Sequence, residues 1–220
     1  MSDPTPLEVV VRGEFACFTR PENKAERVSY PVMTPSAARG ILEAIYWKPE
    51  FSWHVLEIHV LQDIRQISLI RNEVNDRQSH RSSAALGKTD GNYLADAGKH
   101  RAQRHTLALR DVAYLIRAQQ TLKPHTSDDI AKYRDCFRRR IDRGQCFQQP
   151  YLGCREFPAD FHRPTGDEKP VDVTMDLGPM LFDLHYEHDS EQKGIGGNPV
   201  FFDAKLVSGV LIVPRNCMRR

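Results

Sequence analysis

The stretch that most constrains this chain runs from Arg27 to Pro49, RVSYPVMTPSAARGILEAIYWKP. Thr34 is placed to cap a helix whose first turn holds Pro35, where a missing N–H costs nothing. Ala38, Ile41, Leu42 and Ile45 then recur at the spacing of a buried helix face. The helix stops at Tyr46-Trp47-Lys48-Pro49, because Pro49 disfavours helical dihedrals in Lys48. A phenol and a cation therefore stand together where the chain turns toward its next strand, an arrangement suited to phosphate chemistry.

Around this helix the pattern alternates between strand and helix. Leu7 to Thr19 is rich in Val and Phe and reads as a first strand, with Gly13 marking a bulge or a close approach. Arg20 to Tyr30 is a polar loop. Phe51 to Asp63 reads as a strand, and Gln66 to Val74 prolongs it or starts another. From Asn75 to Arg104 the apolar pattern vanishes into Ser, Gly, Asp, Lys, Arg and His, too long for an ordinary connection. His105 to Ala118 resumes as a strand. Ser127-Asp128-Asp129 starts a second helix that runs to about Arg143 and ends at Gly144, with Ile130, Tyr133, Phe137 and Ile141 on its apolar face. Gln148 to Glu156 is expected to form a further strand.

This order is that of the split βαβ arrangement, so the fold expected is α+β, a ferredoxin-like, RRM-like domain over residues 1–160 with a basic insertion at 75–104. Such a sheet leaves one face uncovered by helices, the face on which RNA-binding domains of this kind carry their ligand. Residues 161–220, with β-rich runs at Val171–Tyr186 and Pro199–Pro214, are expected to form a small C-terminal antiparallel β-sheet domain packed on the first.

Composition excludes several function classes. No apolar run approaches eighteen residues and the N-terminus MSDPTPLEVV lacks the pattern of a secretory signal, so a cytoplasmic protein with no membrane partner is expected. A net charge of +2 means that nucleic-acid binding must rest on clustering. The clusters are Arg138-Arg139-Arg140, the segment from Lys88 to Arg104, and Arg20, Lys24 and Arg27, with Phe18 or Tyr30 available for base stacking. The five cysteines form no CxxC pair, which argues against a disulfide framework and a zinc site. Cys17 and Cys154 read as reduced core thiols. Gly194-Ile195-Gly196-Gly197 lacks GK[ST] and the strand-to-helix context of a phosphate loop. His185 and His188, with Asp183 and Asp189, read as a polar edge. No metal and no cofactor is expected.

Three blocks carry a resemblance to a known family: ACFTRPENKAERVSYPVMTPSAARGILEAIYWKP at Ala16–Pro49, HTLALRDVAYLIRA at His105–Ala118, and YLGCREFPADF at Tyr151–Phe161. Together they resemble the CRISPR-associated Cas-five family in its subtype I-C form, a branch of the RAMP superfamily. The resemblance implies a metal-independent endoribonuclease that cleaves the repeat hairpin of CRISPR precursor RNA. It then stays on the crRNA 5′ handle as a subunit of the surveillance complex (Cascade), with the backbone and large subunits as partners. It implies attack of the ribose 2′-OH on the adjacent phosphorus, leaving a 2′,3′-cyclic phosphate. That step needs a base, a cation for the crowded phosphorane and an acid for the leaving oxygen.

Tyr46 matches the family's catalytic tyrosine. The family pairs it with a Lys-His dipeptide just ahead of a Tyr on the second helix. Here that stretch is Ala131-Lys132-Tyr133, so Lys132 stands next to the tyrosine without a histidine beside it. His125, one turn ahead of the helix, and His100 or His105 are candidates for the missing proton-transfer group. Lys48, Lys88, Lys99, Arg101, Arg104, Arg138, Arg139, Arg140 and Arg143 join Arg20, Lys24 and Arg27 as expected RNA contacts. The absent Lys-His pair keeps open a second reading, a non-catalytic RNA-binding subunit that caps the guide handle.

Overall fold

Leu7, Val9 and Val11 share one face of the first strand, β1 (Leu7–Ala16), and stand opposite Ala118, Ile116 and Tyr114 of the antiparallel strand β5 (Arg101–Leu122). All six are buried. The structure, a computed structural model, describes residues 5–23, 26–74, 101–186 and 197–215. Two helices among these, α1 (Pro35–Ile45) and α2 (Ile130–Asp142), bury Ile41, Leu42 and Ile45 and Tyr133, Phe137 and Ile141 in the same core cluster. Helix α1 is capped as expected: Thr34 Oγ1 accepts from the Ala37 N–H at 3.3 Å, and Pro35 occupies the first turn.

The sheet is antiparallel along its whole path, in the order β6 (Asp160–His162), β1, β5, β3 (Phe51–Val60), β9 (Val210–Ile212), β8 (Gly197–Val207), β7 (Met175–Tyr186). The short β2 (Arg27–Val28) pairs in parallel with β5, and β4 (Arg65–Val74) pairs antiparallel with it. Strand β5 thus serves two partner sets. Its first half, 101–110, holds β4, and its second half lies between β1 and β3. Asp111, with φ 52°, stands where the strand passes from one set to the other. Asp is among the few side chains that tolerate this left-handed region.

Two expectations need correction. Gln148 to Glu156 is a run of turns closed by Leu152 N–H to Phe157 O at 2.8 Å and Phe157 N–H to Cys154 O at 3.0 Å. Gly153, with φ 84°, makes it so: a Cβ there would lie 2.1 Å from the Cys17 carbonyl oxygen. The strand beside β1 is the later β6. In addition, the C-terminal strands join the first sheet edge to edge through β9 and β3 instead of stacking on it, reinforced by Val60 N–H to Gly209 O at 2.8 Å and Val213 N–H to Leu56 O at 2.9 Å.

The close approach expected at Gly13 is present, with Leu152 Cδ1 2.3 Å from where a Cβ would sit. Gln66–Val74 belongs to a separate strand, β4. Cys17 and Cys154 are free and buried. Among the described residues no helix is long and apolar enough to cross a membrane.

Candidate functional site

Tyr46 ends α1. Its N–H bonds the Leu42 carbonyl at 2.8 Å, its backbone turns extended, and its own carbonyl accepts the Trp53 indole N–H at 2.9 Å. The residue is only 4% exposed. Its ring packs on Phe51, with centroids 5.6 Å apart, and lies under the Arg140 guanidinium at 4.9 Å. Arg140 in turn donates to the Ile45 carbonyl at 2.6 Å, so α2 caps the C-terminus of α1. Burial, then the hydrogen bond with Cys136, pushes the phenol well above its ordinary pKa. At neutral pH Tyr46 is a hydrogen-bond donor and not a base.

Lys132 is on the outside of the same aromatic cluster. Asp129 caps α2 through the Ala131 N–H at 2.9 Å, and one oxygen of Asp128 takes both the Lys132 ammonium and the Tyr133 hydroxyl at 2.7 Å. Phe51 lies against both the Tyr46 ring and the Tyr133 ring, the latter at 5.3 Å. Two helices thus bring Tyr46 and Lys132 to one cluster, with the phenol turned to Cys136 inside and the ammonium 65% exposed and paired with Asp128. That pairing raises the Lys132 pKa and holds it charged. His125 is exposed in the loop before α2, which Thr126 ties to Glu50 O at 2.9 Å.

The expected RNA contacts divide sharply. Arg20 covers the Tyr30 ring at 4.4 Å and meets Glu22 at 3.6 Å. Arg27 is held by Glu73 at 3.5 Å, Glu156 at 3.9 Å and Cys154 Sγ at 3.4 Å. Arg138 pairs with Asp135 at 3.1 Å, and Arg139 donates to Cys136 Sγ at 3.7 Å. Arg101 and Arg104 belong to the β4-paired half of β5. Lys48 and Arg143 are exposed and carry no ion pair among the described residues. Lys24, Lys88 and Lys99 lie outside the described residues, as does His100. Phe18 and Tyr30 are buried, so neither offers a face to a base. On the helix-free face of the sheet, Arg117 is taken up by Glu8 at 3.0 Å and Glu57 at 2.8 Å.

Sequence reading missed the exposed aromatics. Trp47, Phe147 and Tyr151 are 53%, 79% and 37% exposed, and with Gly40, Lys48 and Arg140 they line a groove of about 510 Å³ at the end of α1. The Phe147 and Gln148 N–H groups both donate to the Ala44 carbonyl, at 2.8 and 3.2 Å, which fixes this turn on the helix end. The available signal was an apolar pair in FQQPY that follows no period. A second hollow, about 200 Å³, holds Arg39 between Glu43 at 3.5 Å and Asp183, with His54 beside them. Burial raises the Glu43 pKa, and burial with Arg39 lowers that of His54. Among the described residues no three His, Cys, Asp or Glu side chains group to hold a metal.

Comparison with known proteins gives a consistent picture. Residues 7–214 match the family described as CRISPR-associated protein (Cas_Cas5). A protein of Thermus thermophilus named CRISPR pre-crRNA endoribonuclease Cas5d is 46% identical over 220 residues, covering 94% of this chain and 91% of its own length. One of the same name from Mannheimia succiniciproducens is 43% identical over 219 residues, covering 94% of each. Among solved structures, one titled a CRISPR-associated protein superposes with a TM-score of 0.64 at 23% identity, covering 95% of this chain and 91% of its own. A functionally uncharacterized protein from Streptococcus mutans gives 0.65 at 21% identity, covering 95% and 92%. These two share the fold.

Proposed function

Since the chain belongs to the CRISPR-associated Cas5 family, we propose that it is an endoribonuclease that cuts repeat hairpins in CRISPR precursor RNA and remains on the 5′ handle of its product. The observation that carries this is the identity of 43–46%, over 94% of the chain, to two proteins named for that activity. The ferredoxin-like reading of the first 160 residues is supported by the antiparallel order β1-β5-β3, with a helix after β1, another after β5, and β6 starting at Asp160 to pair with β1. Residues 161–220 then form the β-rich unit, and the backbone and large subunits of a type I-C complex are the protein partners.

In the proposed reaction the 2′-OH attacks the adjacent phosphorus as the P–O5′ bond breaks, giving a 2′,3′-cyclic phosphate and a 5′-OH. One proton leaves the 2′-oxygen and one reaches the 5′-oxygen. Tyr46, kept protonated, acts as a donor that orients the reacting unit at the end of α1 once its phenol turns out from Cys136. Lys132, kept charged, offsets the charge developing on the phosphorane, and His125 serves as the proton-transfer group. Lys48 and Arg140 supply the cations of the groove.

The second reading, a non-catalytic subunit that caps the handle, is favoured by one observation: Tyr46 is 4% exposed. Incubating the protein with its cognate repeat RNA in EDTA separates the two. Discrete fragments ending in a cyclic phosphate are expected; a shifted but intact band establishes the scaffold. Cutting that appears only after Mg²⁺ is added replaces the 2′-OH mechanism with a metal-assisted one.

A further inference from the structure

We propose that the solvent-facing stripe of α1 is a track for single-stranded RNA, with Gly40 as the point where the strand passes closest to the helix and Trp47 and Tyr151 as stacking platforms. The proposal rests on the reading of the chain as a repeat-RNA protein and adds which part of the RNA lies here: the unpaired nucleotides flanking the hairpin.

Gly40 is the key observation. A glycine inside a helix costs about 1 kcal/mol relative to alanine, so it calls for a local reason. The ordinary reasons are a positive φ or a crowded Cα, and Gly40 has neither. It is helical, and a Cβ added to it meets nothing within 4 Å among the described residues. The space above it is open on both sides: Gly40 lines the groove of about 510 Å³ at the end of α1 and also a hollow of about 410 Å³ toward the start of the helix, bounded by Phe18, Ser36 and Gly153. Tyr151 borders both. Ser36, Gly40 and Glu43 stand at i, i+4 and i+7, one stripe along about 10 Å of α1, and Trp47 lies just past the helix end beside Gly40 and Glu43 in the groove.

The chemistry along the stripe fits a single strand. Trp47, Phe147 and Tyr151 expose flat apolar faces, which unpaired bases cover and paired bases do not. Lys48 and Arg140 stand at the C-terminal end of α1, and the positive end of its dipole lies at the other, so the ends of the track favour phosphate through side-chain charge and through the helix dipole respectively. Glu43, the carboxylate on the stripe, is taken up by Arg39 at 3.5 Å.

The test compares two RNAs, the repeat hairpin with its single-stranded flank and the same hairpin trimmed of it, on the wild type and on Gly40→Leu. In the wild type the flank is expected to tighten binding at least tenfold, and in Gly40→Leu, whose side chain fills the track, that gain falls to near one. Melting of Gly40→Leu checks that the helix is kept. Quenching of Trp47 fluorescence by the flanked RNA is expected as well, read against a Trp47→Phe control because Trp53 is buried. An equal flank gain in both proteins, or unquenched Trp47 with flanked RNA bound, overturns the track. Failure of the wild type to bind either hairpin overturns the repeat-RNA reading instead, and binding of an unstructured oligonucleotide that Gly40→Leu weakens would then uphold the track alone.

Discussion

Replacing Tyr46 by Phe removes one oxygen from a ring that already fits between Phe51 and Arg140, so the packing survives and the donor does not. Tyr46→Phe is expected to slow cleavage by about 10²-fold or more while hairpin affinity stays within about twofold. Wild-type cutting in a gel assay would leave the phenol a purely structural plug. Gly153→Ala puts a methyl group against the Cys17 carbonyl at a positive φ and is expected to cost about 2 kcal/mol or more in chemical denaturation. The Cys17 thiol, then the Arg27 guanidinium, holds the Cys154 thiol below its ordinary pKa of 9.0. A group with its folded pKa depressed adds stability that grows as pH rises toward the unfolded value. The melting temperature is therefore expected to climb from neutral pH toward 9, and Cys154→Ala to flatten that climb. Tyr46 was legible in the sequence as the helix terminus ahead of Pro49; its enclosure was not, because Arg140 reaches it from the other helix.

At the scale of elements, α1 was fully written in local chemistry. Thr34, Pro35, the apolar spacing and Pro49 all act within a few residues of one another, and Thr34→Ala is expected to cost about 1 kcal/mol through the lost cap, measurable by thermal melting. Helix α2 was legible for the same reason, through Asp129 and Gly144. The turn over 148–156 was not. Its apolar residues look like a strand, but its shape is set by a main-chain contact with Cys17, far away in sequence, and by a conformation open to Gly153 alone. The same distance hid the groove: Phe147 and Tyr151 come to line it only when the Ala44 carbonyl pins their turn to the end of α1.

At the scale of the whole molecule, much of the charge is spent internally. Among the described residues Arg20, Arg27, Arg117 and Arg138 all have carboxylate partners, so these four release no counterions while the pairs hold. The slope of log affinity against log salt for single-stranded RNA is expected to be shallow, roughly −2 to −3. A slope several times steeper would mean that the ion pairs open on binding. The pairing of β1 with β5 has a further outcome during synthesis. Glu8 meets Arg117, about a hundred residues later, so the apolar edge LEVVV leaves the ribosome without its neighbour. At about 5–20 residues per second it waits some 5–20 s for that partner to be translated. A nascent chain stalled before residue 100 should therefore be cut readily by protease at its N-terminal strand, and one stalled well past residue 162 should resist.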